Sequence, residues 1–438
     1  MGTGMNQQTL DARRSRQALL AGSVGNFIEW YEFGVYGFLA TVIAANFFTL
    51  QGENEITSLI LTYAAFALAF FCRPIGAVIF GRIGDRIGRR PTLIAVLLLM
   101  TLATALIGVM PTYASIGVAA PLLLTLLRML QGLFAGGEFG GAVSLMTEFA
   151  PKGKRGLFGA WQSLTVALGL LAGAGLVALL AALLSVQQLH DWGWRIPFLL
   201  ALPLGAVALW LRLKLEETPT FTQAQQHAEH AAAPPEAKLG GVVKTILIGI
   251  GRMMGWSAAG YTFLVVMPSY LQTSLHATFQ QALVATVLAN VGFALTILPA
   301  GIVSDKLGRK TVMLTAVAAV ILFTFPLLHL LQDAQSSLWA KGLAVMIAGA
   351  VVGLLAGPGP AMLAEMFPTR VRYTGLGLAY SLSNAVFSGS AGLIITGLIK
   401  QTGNIDIPAY YVVATSVVSL FALMTLRRDD HLRSLNER

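Results

Sequence analysis

GRIGDRIGRR, from Gly81 to Arg90, returns as GIVSDKLGRK from Gly301 to Lys310. Each copy places an Asp four residues after the first Gly, a second Gly three residues further on, and two basic residues directly behind it. A second echo follows in each half: Glu148, Pro151, Lys154 and Arg155 in TEFAPKGKRG, then Glu365, Pro368, Arg370 and Arg372 in AEMFPTRVRYTG. The first pair of stretches lies 220 positions apart in a chain of 438 residues, and each copy joins one long apolar run to the next. A repeat of about half the chain, set between apolar runs, marks a membrane protein built from two related halves.

The composition agrees. Hydrophobic residues make up 56% of the chain and charged residues 11%, and the mean hydropathy is +0.72, too apolar for a water-facing surface at this length. A net charge of +9 invites a nucleic-acid reading, but the Lys and Arg sit in short clusters between apolar runs, where they face lipid headgroups and set orientation. No nucleic-acid partner is expected. Cys72 is the single cysteine, so neither an internal disulfide nor a thiolate metal cluster can form. The first apolar run carries two acids and is too long for a cleaved signal segment, so it is read as the first span.

A hydrocarbon core of about 30 Å takes about 20 helical residues to cross. Measured that way, apolar runs fall near 19–46, 56–80, 91–110, 116–149, 156–185, 195–212, 242–271, 279–303, 311–331, 338–366, 373–399 and 408–426. The expectation is an all-α membrane protein of twelve helices in two six-helix bundles. Its parts are a tail at 1–18, a first bundle at 19–212, a linker at 213–240, a second bundle at 241–427 and a tail at 428–438. Basic residues crowd alternate connections, from Arg13–Arg16 through Arg82–Arg90, Lys152–Arg155 and Lys306–Lys310 to the segment from Arg427, while the loops between carry almost none. Positive residues resist translocation, which puts both termini and the repeated motifs in the cytoplasm. The polar, Ala/Gln/His-rich stretch from Glu216 to Leu239, with Pro234 and Pro235, reads as a solvated linker; the helical spacing of His227 and His230 is set aside as a metal site. Gly132, Gly136 and Gly140 share one face of the fourth run and predict close helix packing, and Pro358 and Pro360 predict a bend in the tenth.

The paired G-x-x-x-D-x-x-G-R-[RK] stretches resemble the signature of the major facilitator superfamily. GNFIEWYEFGVYGF, FCRPIGAVIFGRIGDRIGRR, LLRMLQGLFAGGEFGG and DWGWRIPF narrow the likeness to its metabolite:proton symporter branch, and it runs over nearly the whole chain. WGWRIPFLLALPLG, EETPTF, MPSYL and IPAYY are most similar to the proline/betaine carriers of that branch. Glu32 stands where the branch usually shows Asp, and the segment after the last run is short where some osmosensing members carry a long heptad tail, so osmotic activation is not expected. The resemblance implies a monomeric, proton-driven symporter of a bacterial-type inner membrane for a small carboxylate or zwitterion, with the proton as coupling ion and no further cofactor. A di- or tricarboxylate such as α-ketoglutarate or citrate is the alternative solute.

An ionisable side chain at bilayer depth costs about 3 kcal/mol or more, so those retained there face a cavity and pair. Glu29 and Glu32 lie in the first run, Arg73 in the second, Arg128 and Glu138 in the fourth, Arg195 at the edge of the sixth and Arg252 early in the seventh. An acid in an apolar cavity has its charged form disfavoured and can exchange a proton near neutral pH. Glu32 is the first choice for that task, then Glu138 and Glu29, with Arg128 as partner; a permanent ion pair with Arg73 or Arg128 is the competing role. Arg73 offers a planar fork of donors to a solute carboxylate, and the resemblance places an Arg there in α-ketoglutarate carriers. Arg195 matches those carriers too, with helix anchoring as its other reading. Trp30, Tyr31 and Tyr36 supply aromatic faces for a cation. Trp256, Tyr261, Asn290, Tyr380 and Asn384 are the polar or aromatic mid-span positions of the second half. Asp85 with Arg89, and Asp305 with Arg309, are expected to tie helices together at the cytoplasmic side by pairing with Arg or accepting from a helix N-terminus.

Neither H-E-x-x-H, G-x-S-x-G, a phosphate loop ending in G-K-[ST], nor a Cys cluster occurs, so an enzyme is not expected. A transport-inactive sensor is the remaining class.

Overall fold

The computed structural model describes residues 7–49, 54–87, 89–148, 150–151, 153–213, 239–367 and 372–433. Among them every regular element is helical, which follows from the solvent: in hydrocarbon each backbone N–H and C=O must find its partner inside the segment that carries it. In the first half, α1 runs Gln7–Phe38 and resumes after a 62° bend as Ala40–Phe48. It is followed by α2 Glu55–Ile87, α3 Arg89–Val109, α4 Ala119–Ala135 with Phe139–Glu148, α5 Arg155–Leu183 and α6 Val186–Leu213. The second half holds α7 Leu239–Tyr261, continued by Thr262–Val266 and Met267–Leu275, then α8 Phe279–Leu307, α9 Arg309–Gln332 and α10 Leu338–Met366. It closes with α11, made of Arg372–Ser383, Asn384–Gly389 and Ala391–Thr402, and α12 Ile407–Met424. Among the described residues a helix stands at each of the twelve expected runs, eight of them long and apolar enough to cross a membrane unbroken, and the chain has the major facilitator fold.

Two local details differ from the sequence reading. The repeated motif is the end of a helix rather than a loop: α8 runs through Lys306 to Leu307, turns on Gly308 and restarts at Arg309. Gly308 has φ 88°, a conformation in which a Cβ is strained, so the second glycine of the motif is the turn itself. The expected N-terminal tail is helical from Gln7 onward, while residues 1–6 and the greater part of the linker, 214–238, lie outside the described residues.

The halves repeat each other in packing as well as in sequence. α2 lies along α4 and α8 along α10, while α1 lies along α5 and α7 along α11 and α12. The glycines show how close the first two pairs come. A Cβ on Gly132 or Gly136 would run into the carbonyl oxygens of Ala69 and Arg73, and a Cβ on Gly349 or Gly353 into those of Ala289 and Phe293. Close backbone approach of this kind is how helices associate where lipid removes the hydrophobic drive. The halves meet chiefly through α5 against α8 and α2 against α11. Exposed side chains such as Leu102, Leu122, Leu295, Leu322 and Phe421 cover the outer wall, where hydrocarbon solvates them. The basic connections gather at one end of the bundle, called here the basic end, opposite the far end.

Gly136→Ala should therefore lower the thermal unfolding midpoint in detergent, at a cost of about 1–3 kcal/mol from overpacking against α2. Gly175→Ala, whose Cβ meets nothing within 4 Å, should leave the midpoint unchanged or raise it slightly. Equal melting of the two variants would contradict the packing.

Candidate functional site

From Ile28 to Ala40 every residue of α1 is buried, so the run IEWYE holds two carboxylates away from water. Glu29 Oε1 lies 2.9 Å from Arg73 Nη1 on α2. The same guanidinium sits over the rings of Phe33 at 4.3 Å, Phe70 at 4.4 Å and Trp30 at 5.4 Å, faces that favour a cation deprived of water. Glu32 is completely buried, and neither of its oxygens accepts a hydrogen bond. The Thr104 hydroxyl beside it donates to Met100 O and accepts from Gln131 Nε2. Arg128 of α4 lies over Tyr36 at 4.1 Å and over the Phe33 ring it shares with Arg73 at 4.7 Å, and its Nη1 donates to Gln131 Oε1 at 2.6 Å. Glu138, on the same span, is ion-paired with Arg212 at the end of α6. In this cluster three buried carboxylates, Glu29, Glu32 and Glu138, thus balance three buried guanidiniums, Arg73, Arg128 and Arg212. Balance matters, because removing one partner of a buried pair leaves a lone charge and costs about 3–5 kcal/mol.

Beside this cluster, at the junction of the halves, is a cavity of ≈ 40 Å³, room for about three waters. Trp30, Gln162, Trp256, Tyr261, Tyr380 and Asn384 are among its lining, and none of the lining side chains is charged. The spans contributed by the second half are locally unwound here: α7 takes a wide π turn at Thr262–Val266 just after Tyr261, and α11 another at Asn384–Gly389. Such turns free backbone groups and re-aim side chains, and they collect at working sites. Asn384 donates to Tyr380 O at 3.0 Å and accepts from Ser388 Oγ at 2.7 Å, which fixes its amide on the cavity wall.

Both ends are closed. At the far end Tyr63 and Ser269 share a hydrogen bond of 2.7 Å, Thr41 Oγ1 donates to Gln272 Oε1 at 3.3 Å, and Lys400 Nζ donates to Thr57 Oγ1 at 2.6 Å; each joins one half to the other. At the basic end Asp305 of α8 accepts from the backbone N–H groups of Gly156 at 2.7 Å and Leu157 at 3.0 Å, the orphan donors that open α5. Arg309 pairs with Asp305 at 2.9 Å and with Glu365 Oε1 at 3.1 Å, and Arg155 Nε reaches the same Glu365 oxygen at 3.6 Å. Arg155 Nη2 also donates to the carbonyl oxygens of His431 at 2.8 Å and Arg433 at 2.5 Å, so the segment after α12 is strapped across the closed end by a residue of the first half. Within the strap the Arg433 guanidinium, hydrogen-bonded to Asp429 at 2.8 Å, holds that carboxyl below the usual carboxylate range.

Of the residues picked from the sequence, the structure brings Glu29, Glu32, Arg73, Arg128 and Trp30 into one cluster, with Glu138 paired next to it, and it sets Trp30, Trp256, Tyr261, Tyr380 and Asn384 on the cavity. It does not bring the others there. The Tyr31 hydroxyl donates to Pro197 O at 2.6 Å and that of Tyr36 to Thr62 O at 3.1 Å, so both rings are anchored to neighbouring helices. Arg195 donates to Gly108 O at 3.0 Å and Met110 O at 2.6 Å, closing the carbonyl end of α3. Asn290 donates to Thr286 O at 2.9 Å and Leu264 O at 3.3 Å, bracing the π turn from behind. Arg252 donates to Thr425 Oγ1 at 2.8 Å. The side chains of Asp85 and Arg89 lie outside the described residues. Arg155, Arg212 and Glu365 were missed as partners, having been read as loop charges or repeat echoes; Gln162, a lone amide within an apolar run, was the available signal on α5.

Residues 18–241 match the family described as sugar (and other) transporter, and residues 245–438 the major facilitator superfamily. The ectoine/proline transporter ProP of Corynebacterium glutamicum is 36% identical over 434 residues, covering 95% of this chain and 85% of that protein. The glycine betaine/proline/ectoine/pipecolic acid transporter OusA of Dickeya dadantii is 34% identical, covering 94% of this chain and 83% of its own length. The proline/betaine transporter of Escherichia coli K12 is 33% identical, with 95% and 84% covered. Among solved structures, the proton:xylose symporter XylE bound to 6-bromo-6-deoxy-D-glucose aligns with a TM-score of 0.76 over 94% of this chain and 95% of its own, at 18% identity, a likeness of fold.

Asp305→Asn removes the charge that Gly156, Leu157 and Arg309 converge on. In a Cys72→Ser background, a cysteine at the buried cavity position Ser163 should then react with a water-soluble thiol reagent from the basic end several-fold faster than with Asp305 intact. Unchanged labelling would show that the closure does not depend on this carboxylate.

Proposed function

This chain belongs to the major facilitator superfamily, and from that premise we propose that it is a proton-coupled symporter, importing a small zwitterionic carboxylate of the proline/betaine kind by alternating access. It is a multi-pass membrane protein and not an enzyme. The observation that carries the reading is a juxtaposition: an uncharged cavity at the junction of the halves, next to a set of acids and guanidiniums confined to one of them. The relatives named above lend the solute class, since three of them bear proline, betaine or ectoine in their names.

The proton's place is Glu32. Its carboxyl is completely buried, with the Thr104 hydroxyl beside it and the Arg128 guanidinium nearby, and it is not ion-paired. Glu29 is already committed to Arg73, and Glu138 to Arg212. These two pairs serve as the charge frame against which Glu32 gains and loses its proton. Because α1 carries both Glu32 and the cavity residue Trp30, occupancy of either site bears on the position of one helix. Coupling of this sort is reciprocal: a solute that favours the protonated form is itself bound more tightly when the proton is there.

The basic end is the cytoplasmic one, as the positive loops require. On this reading Asp305, Arg309, Glu365 and Arg155 form the inner gate, together with the strap at 427–433, and the far-end hydrogen bonds form the outer one. Both being closed, the structure corresponds to an occluded state, with a small cavity between the two gates. A di- or tricarboxylate fits less well, because none of the lining side chains could balance its net charge.

Purified protein in liposomes should take up proline or glycine betaine faster when an inward proton gradient is imposed. Glu32→Gln should lose that stimulation while still exchanging labelled for unlabelled solute. Gradient stimulation of equal size in Glu32→Gln would remove Glu32 from the proton path, and an absence of uptake with any zwitterion would remove the reading itself.

A further inference from the structure

Two hydrogen-bond donors in the cavity wall have nothing to bond. Trp30 is 4% exposed and Tyr261 is 6% exposed, both line the cavity, and neither the indole Nε1 nor the phenol oxygen has a hydrogen-bond partner. Their rings are 6.0 Å apart, one from each half of the molecule. The hydroxyls of Tyr31, Tyr36 and Tyr63, by contrast, are engaged with Pro197 O, Thr62 O and Ser269. A buried donor without an acceptor is costly, and native structures keep one only where something else completes it.

Arg73 is the obvious rival for an incoming carboxylate, but its surroundings argue against it. Its Nη1 is committed to Glu29 at 2.9 Å, and although its Nε and Nη2 have no hydrogen-bond partner, the guanidinium is enclosed by Phe33, Phe70 and Trp30. The rings of Trp30 and Phe70 also contact that of Tyr261, at 6.0 and 5.2 Å, and Arg73 itself does not line the cavity. The aromatic side chains therefore stand as a partition, with the ion pair on one side and the solute space on the other.

Resting on the symporter reading above, we propose that the carboxylate of the solute is held by the Trp30 N–H and the Tyr261 O–H, and that these neutral donors select a carboxylate whose charge is balanced within the same molecule. Neutral donors suit such a ligand. A zwitterion enters an uncharged cavity without adding net charge, and it needs hydrogen bonds at its anionic end more than a counterion. A guanidinium in the wall would instead favour a net anion. The cationic end falls to the remaining aromatic faces, Trp256 and Tyr380, which stand 6.5 Å apart on α7 and α11. Trp30 and Tyr261 also bridge the halves, so a carboxylate bound between them ties α1 to α7 and favours the occluded arrangement.

The test is a titration of purified protein with glycine betaine and with choline, a quaternary ammonium that lacks the carboxylate. Tyr261→Phe keeps the ring and removes only the donor, whereas Trp30→Phe removes the donor and leaves a smaller aromatic face. Each should weaken glycine betaine binding by roughly 10- to 100-fold, the range for a hydrogen bond to a charged group. Wild type and variants should titrate alike with choline, and their unfolding midpoints without ligand should agree. If both variants bind glycine betaine as the wild type does, or lose choline binding equally, the donor assignment is wrong. Loss of glycine betaine binding in Arg73→Lys, with both aromatic variants unaffected, would return the carboxylate to Arg73. A wild-type chain that binds neither glycine betaine nor proline would overturn the symporter reading together with this one.

Discussion

A charge inside hydrocarbon must have a partner, and this constraint organises the molecule. Every carboxylate of the buried cluster lies in the first half, on α1 or α4, and every guanidinium of that cluster comes from α2, α4 or α6. At the place corresponding to Arg73 the second half is uncharged. Arg73 and Phe293 make the point: each offers its carbonyl oxygen to a packing glycine, Gly136 or Gly353, and they stand 220 residues apart, the same offset as the repeated motif (293 − 73 and 301 − 81). One copy of the ancestral helix pair carries a guanidinium at that position, the other a phenyl ring that lines the cavity. The two halves share a backbone and have divided the chemistry between them.

This division places the cavity at a boundary. One wall of the cavity backs onto the charge cluster, through Trp30, and the other is built by α7 and α11 where their backbones widen into π turns. Rigid and adaptable parts are thereby separated. The charged side is held by ion pairs and by rings enclosing the guanidiniums, whereas the second-half side rests on single hydrogen bonds such as that from Asn384 to Tyr380. The ends are built differently as well. The far end is joined by three neutral or singly charged hydrogen bonds, the basic end by a network in which two carboxylates meet two guanidiniums, two helix N–H groups and the strap. The basic end has more to break before it opens.

Much of this was legible in the sequence, for identifiable reasons. Twelve apolar runs and a repeat of half the chain survive any uncertainty in boundaries, because the length needed to cross a bilayer is fixed. The buried ionisable residues are also conspicuous, being few. Which of them pair was not legible: Glu138 finds Arg212 across 74 residues of chain, and no local pattern reports a contact between α4 and α6. Rotation about a helix axis was equally hidden. Trp30 and Tyr31 are neighbours in sequence, yet one faces the cavity and the other reaches Pro197 on α6, since adjacent residues on a helix diverge by about 100°. Glu365 was visible as an echo of Glu148, but its part in the closure needed α10, α9 and α5 to be brought to one point. The strap on Arg155 had no signal at all, because its acceptors are main-chain carbonyls.

The central claim is that one buried carboxyl, Glu32, changes protonation as the neighbouring cavity fills. Its most direct measurement uses no membrane and no gradient: a pH-indicator dye in weakly buffered solution, read while glycine betaine is added to the purified protein. The account predicts a net proton uptake that saturates with solute occupancy and is absent in Glu32→Gln. Saturable binding with no proton movement in the wild type, or the same movement in both proteins, would contradict it.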